Sequence, residues 1–107
     1  MRLKPMAIRH QDGESPVQQL ADGIRTTSGP DGGTVLDIAG NRIFHLNAMG
    51  DLILQCVGQG WSETRIATHV SDQYSVSKDR AHCDVHDFLT LLNKYRLIQA
   101  AKRPEEP

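Results

Sequence analysis

Polar and apolar positions alternate along residues 42–46, Arg-Ile-Phe-His-Leu, and predict a strand with Phe44 and Leu46 on one face and Ile43 and His45 on the other. Directly after it the period changes. Met49, Leu52, Ile53, Cys56 and Val57 recur at i, i+3, i+4, i+7 and i+8, the stripe of an amphipathic helix. Asn47 stands at the junction, where its side-chain oxygen can accept an otherwise unpaired amide at the helix start. Gly58-Gln59-Gly60 ends this helix, because glycine tolerates a left-handed cap. Ser62 is a second N-cap, and Trp61 and Ile66 are spaced around it for a hydrophobic staple. Ile66, Val70 and Tyr74 then mark a buried line. Ser77 caps a third helix with Asp79 near its positive end, and Ala81, Val85, Phe88, Leu89 and Leu92 share one face of it. That pattern stops near Tyr95-Arg96, after which Leu97-Ile98 can pack back on the core.

Upstream, residues 24–28 and 34–38 read as two further strands, since Thr, Ile and Val suit a pleated surface. Gly29-Pro30-Asp31-Gly32-Gly33 between them is a strong turn signal, and Ala39-Gly40-Asn41 returns the chain into 42–46. The order is three strands followed by three helices. A three-stranded antiparallel sheet cannot bury its apolar face alone, so the helices should cover one face of it, in an α+β domain of winged-helix type. Residues 1–20 carry Pro5, Gly13 and Pro16 without a sustained period and are expected to be a flexible tail. Residues 21–100 make the folded domain. Residues 101–107 end in Pro-Glu-Glu-Pro and are expected to be disordered.

A chain of 107 residues with 38% hydrophobic content fits one domain. No apolar run approaches the roughly 20 residues of a membrane-spanning helix. The start, Met1-Arg2-Leu3-Lys4-Pro5, has no apolar stretch behind its charges, so no signal peptide is expected and the protein reads as cytoplasmic. The net charge of −1 comes from intermixed acids and bases, which does not favour nucleic acid. Cys56 and Cys83 make no metal or redox spacing and are expected to be reduced.

The densest cluster of potential ligands is His82-Cys83-Asp84-Val85-His86-Asp87. A helix would project His82 and His86 from one face, as a zinc site needs, but Cys83 points about 100° away and no glutamate lies between the histidines in zinc-protease order. A solvated histidine face is the preferred reading, with no metal and no cofactor. There is no Gly-x-Ser-x-Gly elbow and no phosphate loop, so no enzyme is indicated. An open sheet does have edges. A short edge lined by the third helix is a groove for an extended peptide.

Several segments resemble the PqqD family, whose domain is also called the RiPP recognition element. They are Thr34-Val35-Leu36-Asp37-Ile38 with Gly40, then Arg42-Ile43-Phe44-His45-Leu46-Asn47, Ile53, Gly60, Ile66, Val70 and Tyr74-Ser75-Val76-Ser77, and finally Asp84-Val85, Phe88-Leu89, Leu92 and Leu97-Ile98. The resemblance spans about residues 24–100. One departure is Arg96, which stands where such proteins usually have glycine. The resemblance implies a non-catalytic module that binds the leader of a ribosomally made precursor peptide and presents its core to a partner enzyme. That partner would be a radical SAM enzyme, as in pyrroloquinoline quinone synthesis, or a leader peptidase, as in lasso peptide synthesis. It also implies that the leader adds as a strand beside the third predicted strand and lies against the third helix.

On that reading the candidate peptide-binding residues are Arg42, Ile43, Phe44 and His45 from the strand, and Asp84, Val85, Phe88 and Tyr95 from the helix. The period of Phe44, Val85 and Phe88 fits burial better than ligand contact, and the polar positions also fit ordinary solvated surface. A winged-helix DNA-binding regulator is the main alternative. Against it, the third helix mixes Asp79, Asp84 and Asp87 with Lys78, Arg80 and Lys94, a poor match for phosphates. A structural subunit that forms a homodimer through its sheet edge or an exchanged helix is the third possibility.

Overall fold

The computed structural model describes residues 17–101, so most of both expected tails lies outside the described residues. Within them the chain runs β1 (Gln18–Leu20), β2 (Ile24–Gly29), β3 (Gly32–Asp37), β4 (Arg42–Leu46), α1 (Ala48–Gly58), α2 (Glu63–Tyr74), α3 (Lys78–Lys94) and β5 (Ile98–Ala100). β2, β3 and β4 form an antiparallel meander in that order, followed by three helices, an α+β fold as the pattern predicts. Register pairs Thr26 with Val35 and Val35 with Phe44 across one face, and Arg25 with Leu36 and Leu36 with Ile43 across the other.

The first face is the covered one. Ile24 and Val35 are buried, and Phe44 and Leu46 pack against the core beneath them. α1 lies across β3, and α2 packs on α3. Between the layers sit Val35, Ile53, Leu54, Val57, Ile66, Val70, Val85, Leu89, Leu92 and Leu97, each 3% exposed or less. Burying each large aliphatic side chain contributes about 1.5–3 kcal/mol, which holds the helices on one face of so small a sheet.

Each helix starts where a short polar side chain accepts a free amide. Asn47 Oδ1 accepts the Gly50 amide at 2.8 Å, Ser62 Oγ that of Arg65 at 3.1 Å, and Ser77 Oγ that of Arg80 at 3.1 Å. Such caps are each worth about 1 kcal/mol. All three helices leave through a left-handed residue: Gly60 (φ 84°), Ser75 (φ 54°) and Arg96 (φ 62°). At the end of α3 the Leu97 amide donates to the Leu92 carbonyl and the Arg96 amide to that of Asn93, both at 2.9 Å. This is the Schellman arrangement, with Arg96 at the position glycine favours.

Three observations differ from expectation. Gln18–Leu20 is not tail but a strand, paired antiparallel with Ile98–Ala100 from the far end of the chain. Three residues with one apolar side chain carry no local strand period, and the pairing forms only because Leu97 and Ile98 anchor on the core. Tyr74 ends the α2 stripe 39% exposed instead of buried, because the helix stops there. Ile38 falls in the β3–β4 turn, outside the strand, and is 57% exposed.

Candidate functional site

β2 and β4 are the meander's outer strands, and each pairs only with β3; β4 is the one beside α3. Which of its backbone groups are free follows from the alternation of an antiparallel ladder. The Ile38 amide donates to the Gly23 carbonyl, so Leu36 and Thr34 turn their backbone groups towards β2. Asp37, Val35 and Gly33 therefore face β4, and their partners Arg42, Phe44 and Leu46 bond inwards. That leaves the amides and carbonyls of Ile43 and His45 aimed at the open margin. Their side chains lie on the outer sheet face, where Ile43 is 61% exposed. Two alternate residues of β4, and not all of Arg42 to Leu46, are thus free to pair with an incoming strand.

Beside this margin runs α3. Asp84, Phe88, Leu91 and Tyr95 recur at i, i+4, i+7 and i+11, a strip next to the core strip of Ala81, Val85, Leu89 and Leu92. The two rings at one end approach across the gap, with Phe44 and Tyr95 centroids 5.4 Å apart. At the other end a pocket of about 210 Å³ is lined by Asn47, Met49, Gly50, Ile53, Asp84 and Phe88. A Cβ at Gly50 would lie 3.1 Å from Phe88 Cζ, so a larger residue there would press on that ring. Asp84 stays partly exposed and accepts from Arg80 Nε at 3.3 Å.

The Tyr95 end is tied shut. Arg42 Nε and Nη2 donate to Asp37 Oδ2 at 3.0 and 2.7 Å, and Nη2 also donates to the Tyr95 carbonyl at 2.8 Å. The Gly40 amide donates to Asp37 Oδ1 at 2.9 Å. This bond, then the Arg42 side chain, hold the Asp37 carboxyl below its ordinary value of 3.8, against a smaller opposing effect of burial. The guanidinium carbon sits 5.1 Å from the Phe44 ring centroid and 6.0 Å from that of Tyr95.

Seven of the eight sequence candidates reach the gap between β4 and α3: Arg42, Phe44 and Tyr95 at one end, Asp84 and Phe88 at the pocket, and Ile43 and His45 through their backbone groups alone, their side chains lying on the outer sheet face. Val85 does not. It is fully buried on the core strip of α3, one residue round the helix from Asp84, and has no surface to offer a ligand. Leu91, 46% exposed between Phe88 and Tyr95, was missed, and its signal was the second apolar line offset by one position from the core line. Met49 was read only as core, yet it also lines the pocket.

Elsewhere the chemistry is plain. His86 Nδ1 lies 3.0 Å from Glu63 Oε2, and among the described residues no three potential metal ligands converge. Cys56 is buried and Cys83 exposed, both as free thiols, and burial pushes the Cys56 thiol up. A wide-mouthed depression of about 390 Å³ is walled by the β2–β3 hairpin from Thr27 to Thr34 and by His45 and Leu46 of β4. No helix among the described residues is long and apolar enough to cross a membrane.

Three solved structures share this architecture. One, TbiB1 in complex with the TbiA(beta) leader peptide, superposes with a TM-score of 0.73 at 22% identity, covering 79% of this chain and 99% of that one. A lasso peptide synthetase B1 complexed with the leader peptide gives 0.71 at 23% identity over 77% and 96% of the two chains. The solution structure of the PqqD truncation of Methylobacterium extorquens PqqCD, a stand-alone RiPP recognition element, gives 0.65 at 20% identity over 78% and 88%. At these identities the likeness establishes the fold. Among curated proteins none matches the chain. The family model for coenzyme PQQ synthesis protein D (PqqD) matches residues 32–98, from β3 to the start of β5, and so takes in β4, α3 and the groove between them. A match over more than half of the 107 residues places the chain in the PqqD family.

Proposed function

We propose that this protein is a non-catalytic, cytoplasmic peptide-binding module. It takes the leader of a ribosomally made precursor peptide as an added strand beside β4 and presents the rest of that peptide to a modifying enzyme, either a radical SAM enzyme or a leader peptidase. The observation that carries this reading is the free margin of β4, with the backbone groups of Ile43 and His45 directed outwards beside the exposed apolar strip of α3. Backbone pairing there gives affinity for any extended segment, and the α3 strip selects among alternate side chains. Two of the structures of similar fold were solved with leader peptides, which supports the same assignment. Arg42, Ile43, Phe44, His45, Asp84, Phe88 and Tyr95 form the proposed binding surface, with Leu91 and Met49 added and Val85 removed.

Amide hydrogen exchange tests the reading. A synthetic peptide matching the leader encoded beside this gene should slow exchange at Ile43 and His45. The amides of Arg42, Phe44 and Leu46, already bonded to β3, should change little. Saturable binding without protection at Ile43 and His45 would move the site elsewhere. Nothing favours the DNA-binding reading: α3 places Arg80 against Asp84 instead of leaving it free for phosphate.

A further inference from the structure

The Arg42 side chain stands at the mouth of the groove, and its simplest role would be to attract an acidic residue of the bound peptide. Its hydrogen bonds point otherwise. Nε and Nη2 are committed to Asp37, whose side chain is only 10% exposed, and Nη2 also reaches the carbonyl of Tyr95, the residue that caps the end of α3. That carbonyl is one of the orphan acceptors at a helix end, and Arg42 satisfies it from a different element. The Phe44 and Tyr95 rings flank the guanidinium. One cation thus ties the end of β3, the edge strand and the end of α3 together.

We infer that the Asp37–Arg42 pair is a strut that sets the spacing between the edge of β4 and α3. Arg42 is a positioning residue acting through Tyr95 and Phe44, and the peptide residue that docks over Phe44, Leu91 and Tyr95 is apolar, not acidic. This deepens the proposed function and rests on it. The argument is one of charge and geometry. A guanidinium already neutralised by a nearly covered carboxylate has little field left for a third charge, whereas the surfaces it holds in place are two rings and an exposed leucine.

The experiment is a double-mutant cycle on peptide affinity, using Asp37→Asn, Arg42→Ala and the pair, with a fluorescein-labelled synthetic leader as probe and a thermal melt for each variant. A strut requires both single variants to lose affinity together, each by about fivefold or more, with the double variant no weaker than the worse single, since residues in one network are strongly non-additive. It also requires wild-type affinity to depend only weakly on salt. If Arg42 instead contacts an acidic peptide residue, Asp37→Asn frees the guanidinium and binding becomes tighter, or stays level, and falls steeply with salt. Either result overturns the inference while leaving the peptide-binding reading intact. A wild-type protein that does not bind the leader saturably overturns the reading itself. Should Asp37→Asn fail to fold, Arg42→Met decides, because it keeps the apolar stem. Peptides with each residue in turn replaced by Glu should then rank alike on wild type and variant, and a Glu peptide whose gain disappears in Arg42→Met refutes the strut.

Discussion

Proline scanning of β4 separates its two kinds of backbone position, and Ile43→Pro is the informative variant. Its amide faces the open margin, so proline removes no bond of the β3–β4 ladder. Arg42, the residue before it, is already extended, as a residue preceding proline must be. The lost side chain is 61% exposed and contributes little packing. Folding should therefore survive. Binding should not. Removing one donor costs about 1 kcal/mol, close to fivefold in Kd. The proline ring also projects into the roughly 4.8 Å spacing that a neighbouring strand requires, which displaces the bonds at His45 as well. If about three bonds go, the loss reaches about 3 kcal/mol, beyond a hundredfold. His45→Pro should behave alike, whereas Phe44→Pro removes an inward bond to Val35 and should unfold the sheet. The assay is calorimetric titration with the leader peptide, paired with circular dichroism melts. An Ile43→Pro protein that melts like wild type and binds within about twofold of it would refute strand addition at β4.

Three further outcomes follow from the same geometry. Arg96→Gly should raise stability by about 0.5–1 kcal/mol, a rise of several degrees in Tm, because Arg96 holds φ at 62° within a fixed helix ending; an unchanged or lower Tm would contradict this. Leu91→Ala should weaken leader binding with little change in the urea midpoint, while Val85→Ala, at a fully buried site, should lower stability by about 1–2 kcal/mol and leave the affinity of the folded fraction alone. The Asp37 carboxyl, held below 3.8 by the Gly40 amide and Arg42, stabilises the fold fully above its unfolded value, and that contribution is lost as pH falls through the lower folded value. The stability gap between wild type and Asp37→Asn should therefore be constant near neutrality and close only in acid, and a gap that closes between pH 6 and 8 would refute the assignment.

Arg96 tolerates a strained backbone for a reason that its own residue type does not carry. Gly60 announced the end of α1 because its residue type matches the left-handed conformation it adopts. Ser75 and Arg96 adopt the same conformation without that signature, and at Arg96 the Leu97 and Ile98 side chains, driven into the core, impose it. The departure from glycine at Arg96 thus marks a position where burial downstream overrides local preference.

Local chemistry, by itself, determined the three meander strands, the caps Asn47, Ser62 and Ser77, and the core strip of α3, because hydrogen-bond partners within four residues and a fixed hydrophobic period are written into neighbouring positions. Tertiary structure decided the rest. A period of two says that Ile43 and Phe44 face opposite ways, but only pairing with β3 decides whose amide is left free. A period of 3.6 puts Val85 on the buried strip of α3, but only the packed fold decides that Asp84 beside it lines the pocket against Met49 and Ile53 of α1. The β1–β5 ladder and the bond from Arg42 to the Tyr95 carbonyl join residues about 80 and 53 positions apart. No local pattern encodes such contacts, because the free energy that forms them comes from burying the core between.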